Sequence, residues 1–375
     1  MHQAIERMTA QRAPHLWIFG TSVSIERPGY IQHLEALAVA AGWQSVNLAV
    51  GDQCSVMGYL RVLQHMPEGK LSFAAGDCAV WEYSLLDHFL APRFDAADIR
   101  ELRLRAWQAL GKHGVAVVAL LMPPRDALQS PTAAEVELTS QATLHGVAVH
   151  DARAELSALP DAINFFRDDR HLRAECPALP ALAAALWRQL TSAVPRPILL
   201  PPTRFYWLDT QALRAQGGPE PELFSNSFLR SPALRLRADD SVTLPATVRV
   251  VAAGVLSQHQ SGALWCGHAG CPPSSTRLPE TLTYSFLMRV ALVACQRAPI
   301  TRLVAAPDWS FQCGQSFGYG FTPCVDAGDV LLFGVLVELI PEVPQSFLGT
   351  LRRWFRVGKT AASKSTSSLR IAGAV

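Results

Sequence analysis

The chain has 375 residues, 49% of them apolar and 17% charged, which allows two domains with sizeable cores and excludes a disordered chain. Lys and Arg number 33 against 31 Asp and Glu, a net charge of +2, so no concentrated basic face points to nucleic acid as a partner. Met1–Arg7 is polar, without the apolar stretch of a secretory signal, and no run approaches the ~20 apolar residues that cross a bilayer. The longest, Val330–Ile340, is interrupted by Glu338. A cytoplasmic location is the expectation.

In chain order, short apolar or β-branched runs predict strands at His15–Gly20, Trp43–Val50, Cys78–Leu85, Gly114–Met122 and Gly146–Ala152. Helical spacing predicts helices at Tyr30–Ala41, Ser55–His65, Ala97–Lys112, Ala133–Leu144 and Leu179–Ser192. In the first of these, Ile31, Leu34, Leu37 and Ala38 recur on one face. Alternating strands and helices, with strands apolar on both faces, predict an α/β domain over 1–194: a flavodoxin-like, parallel five-stranded sheet sandwiched by helices. Such sheets bind substrates at the carboxyl ends of their strands.

Val194–Pro202 holds four prolines and reads as a stiff connector, assigned to 195–204. Beyond it, Ser241–Ala253, Leu282–Cys295, Thr301–Ala306 and Val330–Ile340 are strand-like and separated by loops with Gly and Pro. They predict a β-rich, sandwich- or jelly-roll-like domain over 205–343 that can bind glycans. The remainder, 344–375, carries Arg352, Arg353, Arg356, Lys359, Lys364 and Arg370 and no acids. It reads as a basic tail, partly disordered, with weak membrane-surface contact as one role and packing on its own domain as the plainer one.

The eight cysteines are too few for a disulfide scaffold, and Cys54, Cys78 and Cys295 read as buried free thiols. Cys266-Gly267-His268-Ala269-Gly270-Cys271, with Cys313 and Cys324 beyond it, has half the look of a zinc site, but its spacing is not that of paired Cys-x-x-Cys motifs, so no metal is expected.

Three groups suit nucleophilic acyl transfer. Ser22 follows the first strand in Gly20-Thr21-Ser22, and Asp168-Asp169-Arg170-His171 precedes the last helix with an acid three residues before a histidine. A serine hydroxyl needs a base, an imidazole can take and return its proton, and a carboxylate fixes the imidazole tautomer. Each residue has a plainer reading alone: Ser22 as a turn or cap serine, Asp168 and His171 as a solvated pair, Asp87 as a cap acid, His88 and His150 as structural histidines. Asp169 is the competing acid.

Residues 15–193 resemble the SGNH (GDSL-like) hydrolase family. Gly20-Thr21-Ser22 matches the nucleophile block, Asn47-Leu48-Ala49-Val50-Gly51-Asp52-Gln53 the second block, and Asp168-Asp169-Arg170-His171 the last. The resemblance implies a triad of Ser22, Asp168 and His171, with the Ser22 and Gly51 backbone N–H groups in an oxyanion hole. In the third block, Glu82-Tyr83-Ser84-Leu85-Leu86-Asp87 places Leu86 where the family has an oxyanion-binding asparagine. Gln53 and Ser84 are the candidate substitutes; losing one such donor typically costs about 10²–10³ in rate. Thr21 stands where the family has aspartate.

The resulting expectation is a cofactor-free serine esterase that removes small acyl groups, acetyl above all, from a carbohydrate or similar hydroxylated substrate. Two alternatives stand beside it. One is an O-acetyltransferase of polysaccharide biosynthesis with the same triad. The other is a catalytically degenerate scaffold serving as a glycan-binding or assembly module.

Overall fold

The computed structural model describes residues 12–51, 53–65, 72–90, 96–225, 230–237, 240–244, 247–257, 262–266, 274–275, 287–291, 302–305 and 328–340. The chain divides into two compact units, Met1–Leu200 and Pro201–Val375.

The first unit alternates β1 (His15–Gly20), α1 (Tyr30–Ala40), β2 (Gln44–Asn47), α2 (Ser55–His65), β3 (Cys78–Glu82), α3 (Ser84–Leu90), α4 (Ala96–Lys112), β4 (Ala116–Leu121), α5 (Ala133–His145), β5 (Ala148–Asp151), α6 (Arg153–Leu156) and α7 (Ala178–Ser192). Its five strands are all parallel, in the order β2-β1-β3-β4-β5. This is the flavodoxin-like order anticipated from the sequence. Every residue of β1, β3 and β4 is buried, as two-sided helical cover demands, whereas edge strands β2 and β5 are only partly buried. Helix α1 packs on α7, α2 on α4, and α3 on α5.

Aromatic side chains fill the sheet's interior. Trp81 meets Phe19, Tyr83 and Trp107 with centroids 5.1–6.3 Å apart. Helix α2 comes so near β3 that a Cβ on Gly58 would lie 2.4 Å from the Trp81 ring, so this crossing needs glycine. Cys54 and Cys78 are buried and free, as is Cys176.

Two strand ends fall short of the sequence expectation. The third strand stops at Glu82 rather than Leu85, because the Asp87 N–H turns back to the Tyr83 carbonyl at 2.8 Å and opens α3. The second stops at Asn47 rather than Val50, because the Asn47 amide accepts from Ala49 N–H and donates to the Ser24 carbonyl, bending the chain off the sheet line. Residues 193–204 have no regular structure; Ile198 is buried and its carbonyl accepts from Gln108 Nε2 at 2.9 Å.

The second unit contains β6 (Phe205–Asp209), α8 (Thr210–Arg214), β7 (Glu222–Ser225), β8 (Arg230–Leu236), β9 (Ser241–Thr243), β10 (Val248–Ser257), β11 (Ala263–Cys266), β12 (Ser274–Ser275), β13 (Leu287–Ala291), β14 (Arg302–Ala305) and β15 (Val330–Leu339). They form two antiparallel sheets. In the six-stranded one, β15 pairs with β10 along one side and with β8 and then β6 along the other; the four-stranded one runs β12-β11-β14-β9. The expected single strand over Ser241–Ala253 is two strands, β9 and β10, in different sheets. Pro245, which has no N–H to give a ladder, stands between them in the sequence. The Gly267–Cys271 part of the candidate zinc motif, Cys295, Cys313, Cys324 and the basic tail lie outside the described residues. Among the described residues no helix is long and apolar enough to cross a membrane.

At the amino ends of β1 and β3, buried Asp77 accepts from His15 N–H, Trp17 Nε1 and Arg12 Nη2 at 2.6–2.9 Å. Asp77→Ala removes the carboxylate that accepts from these buried groups and is expected to cost about 2–3 kcal/mol, read as a lower urea midpoint at unchanged m-value.

Candidate active site

Four loops meet at the carboxyl edge of the first sheet. Thr21 follows β1 and caps a single 3-10 turn, Ser22–Ser24, so Ser22 sits half-buried at the turn's first position. The loop after β2 is stitched back to β1 by Leu48 N–H to Ile18 O and Val50 N–H to Gly20 O, at 2.8 and 3.0 Å. That stitching brings Gly51 beside Ser22: a Cβ built on Gly51 would lie 3.7 Å from Ser22 Cβ. Among the described residues, neither the Ser22 nor the Gly51 N–H donates to a protein acceptor. Two adjacent unspent backbone donors beside a hydroxyl are what an oxyanion hole requires.

The segment before α7 closes on itself. Phe166 and Leu172 bridge, Arg167 N–H donates to His171 O at 2.8 Å, and Arg125 N–H holds the Asp169 carbonyl at 2.9 Å. Inside this loop Asp168 Oδ1 accepts the Arg170 and His171 backbone N–H groups, each at 2.9 Å, and both its oxygens stand 2.9 Å from His171 Nδ1. His171 Nε2 then lies 2.7 Å from Ser22 Oγ. With the proton on Nδ1 held by Asp168, Nε2 accepts the serine hydroxyl. An Arg167–Glu26 ion pair ties the histidine loop to the segment after the nucleophile turn.

The structure thus brings Ser22, His171 and Asp168 into one chain of contacts, with Gly51 next to the serine. Asp169 contributes its backbone carbonyl to the loop and stays exposed. Burial pushes the Asp168 carboxyl up, but the two backbone N–H groups and the His171 ring outweigh it and hold it down at about 2, so it stays ionised beside the imidazole.

Leu86 and the candidate oxyanion substitutes Ser84 and Gln53 are all buried. Leu86 is buried in α3; Ser84 opens that helix with its Oγ buried and without a hydrogen bond among the described residues; Gln53 is buried ahead of α2. Asp87 is a cap, as its plainer reading held: it accepts Ser55 N–H and Oγ at the start of α2, with Arg103 alongside. His150 is held between Gln189 and Glu155, while His88 is half-buried against Phe89. Among the described residues no cluster of His, Cys, Asp and Glu is placed to hold a metal.

One group at the site carries no motif. Glu82, the last residue of β3, is fully buried, and its Oε2 accepts Thr21 N–H, Thr21 Oγ1–H and Ser24 Oγ–H at 2.9–3.0 Å. The only sequence signal is an acid closing an otherwise apolar strand. The Glu26–Arg167 pair is equally silent in sequence, whereas Asn47, which links the β2 loop to Ser24, opens the second block.

No family model and no curated protein matches the chain. Among solved structures it is similar to the YXIM protein of Bacillus subtilis, at 17% identity over 47% of this chain and 57% of that one, with a TM-score of 0.40. It is also similar to TesA (18% identity, 47% and 97% covered, TM-score 0.38) and to the lipase/acylhydrolase from Enterococcus faecalis (15%, 48% and 98%, 0.37). The chain spans little more than half the length of the Bacillus protein. Matches to GDSL-like and SGNH hydrolases likewise cover 47% of it.

Burial pushes Glu82 up to about 7 against the pull of its bonds from Thr21 and Ser24, with the Asp87 charge adding to the rise. A carboxyl raised in the folded state contributes stability that is full below its unfolded value, about 4.3, and is lost as pH rises through about 7. Glu82→Gln is therefore expected to remove on the order of 3 kcal/mol from the fall in stability between pH 4 and 8, measured by urea unfolding at each pH.

Proposed function

We propose that the first unit is a serine-dependent acyl ester hydrolase whose nucleophile is Ser22, general base His171 and orienting acid Asp168. The observation that carries this reading is the contact chain Ser22 Oγ–His171 Nε2 at 2.7 Å and His171 Nδ1–Asp168 at 2.9 Å. In isolation a serine hydroxyl is a weak nucleophile; a base already in hydrogen-bonding range removes that barrier.

As Ser22 Oγ attacks the ester carbonyl, its proton passes to His171 Nε2. The new C–O⁻ forms next to the Ser22 and Gly51 N–H groups, which stabilise it electrostatically. His171 returns the proton to the departing alkoxide, the C–O bond of the leaving group breaks, and the acyl group remains on Ser22. Water then loses a proton to His171 and attacks the acyl-enzyme; the bond from the acyl carbon to Ser22 Oγ breaks, His171 returns the proton to Ser22 Oγ, and the free acid leaves. Ionised Asp168 stabilises the imidazolium in both halves. The half-exposed setting of Ser22 suits acyl groups as small as acetyl, and a carbohydrate or similar hydroxylated alcohol is the leaving group we assign. With two backbone donors and Leu86 in place of a third, catalysis is expected to be slower than with a complete hole, by about 10²–10³. The intact proton path favours this reading over an inert scaffold.

Hydrolysis of p-nitrophenyl acetate tests the assignment: Ser22→Ala and His171→Ala are each expected to lose at least about 10³-fold in kcat. Equal rates for wild type and Ser22→Ala would overturn it. Between the two adjacent acids, Asp168→Asn is expected to lower kcat by about 10²–10⁴ and Asp169→Asn to leave it within about threefold. If the product of a labelled acetyl ester with a candidate glycan is acetylated glycan rather than free acetate, the enzyme is a transferase instead.

A further inference from the structure

Glu82 has no part in the proton path, yet this fully buried acid is bonded to the residues on either side of Ser22. The parallel register of β1 and β3 sets Glu82 directly beside Gly20, the residue that leads into the nucleophile turn. From there a single carboxylate oxygen, Oε2, takes three donors, and those donors come from both sides of Ser22: the N–H and hydroxyl of Thr21 before it, and the hydroxyl of Ser24 after it. Ser24 is itself backed by the Tyr30 hydroxyl at 2.7 Å, which extends the clamp to the first turn of α1. The space is closed to anything larger. A Cβ on Gly20 would fall 2.5 Å from Ser24 Oγ and 2.9 Å from Glu82 Oε2.

Resting on the esterase reading, we propose that Glu82 is the positioning residue of the nucleophile: it clamps Thr21 and Ser24 so that Ser22 Oγ is aimed at His171 Nε2. Among the described residues, the Ser22 hydroxyl has one side-chain partner, the histidine. The turn that carries it is one 3-10 turn long, so its own backbone hydrogen bonds, Ser24 N–H to Thr21 O and the Ile25 and Glu26 N–H groups to Ser22 O at 2.9–3.1 Å, are few. An anchor outside the turn is what keeps such a short element in one conformation. Thr21 is then the residue through which β3 grips the turn, which gives a role to the threonine that stands in place of the family's aspartate. The charged and titratable groups near Glu82 are Asp87, Tyr83 and Tyr30. The hydrogen-bond link from Tyr30 to it runs through Ser24.

The clamp needs an acceptor, not a charge, and this separates a positioning role from a catalytic one. The amide oxygen of Glu82→Gln can take the same three donors, so this variant is expected to keep kcat within about threefold. Glu82→Ala has no acceptor and is expected to lose about 10²-fold in kcat with KM within about threefold, the size of effect that misplacing a reacting group by 1 Å produces. The same loss is expected in the second-order rate of Ser22 labelling by a fluorophosphonate, measured per folded molecule. Thr21→Val, which removes one donor while keeping side-chain volume, is expected to fall between Gln and Ala. It carries the test if Glu82→Ala does not fold. Wild-type kcat and labelling in folded Glu82→Ala, or in Thr21→Val if Ala does not fold, would overturn the proposal. So would an equal loss in Gln and Ala. Ser22→Ala run alongside separates the two ideas: activity retained there removes the esterase reading itself, whereas activity lost there and retained in Glu82→Ala removes only the clamp.

Discussion

A parallel sheet whose inner strands are buried on both faces leaves its polar chemistry little room except at the strand ends. In this protein β1, β3 and β4 are buried from end to end, and a side chain that must meet water or substrate is confined to the loops at their carboxyl edge. Ser22, Gly51 and Glu82 belong to the ends of β1, β2 and β3 in turn. The histidine loop follows β5 at the far side of the sheet in sequence, yet its ring reaches Ser22. The same confinement makes each loop's internal hydrogen bonding decisive, because nothing in a strand's regular ladder holds a side chain beyond its last residue.

Each loop solves that problem with a polar side chain that bonds backbone. Asp168 gathers two N–H groups of its own loop before it meets the imidazole, so the acid is fixed by the same turn that fixes the base. Asn47 joins the end of β2 to the nucleophile turn. Glu82 meets the turn from the neighbouring strand. The two carboxylates are tuned in opposite directions by one pair of forces. Asp168, half-exposed and rich in donors, is held low, at about 2; Glu82, sealed from water, is pushed to about 7 although it has three donors. For the first, hydrogen bonding to the charged form wins; for the second, desolvation wins.

The elements that were legible in sequence are those whose signal is local. Helices such as Ser55–His65 and strands such as His15–Gly20 repeat their apolar residues at the period of their own geometry, and the Asp168–His171 spacing places acid and base on one turn whatever surrounds them. Boundaries were less legible where a side chain intervened. Nothing in the run Cys78–Leu85 says that the strand must end at Glu82, because the helix that replaces it opens with a Tyr83–Asp87 backbone bond and has its Asp87 carboxylate held by Ser55. The split of Ser241–Ala253 into strands of two different sheets is likewise a matter of partners, although Pro245 marks the place.

The sequence by itself determined the alternation of strands and helices in the first unit, and it singled out Ser22, Asp168 and His171 as residues able to act together. Periodicity and spacing are properties of neighbours along the chain, so they survive without a structure. Only the tertiary structure decided that the His171 ring lies 2.7 Å from a serine 149 residues away, and that Glu82 bonds the turn that carries this serine. Those contacts depend on strand register and loop closure, and a register is set jointly by two segments that carry no mark of each other.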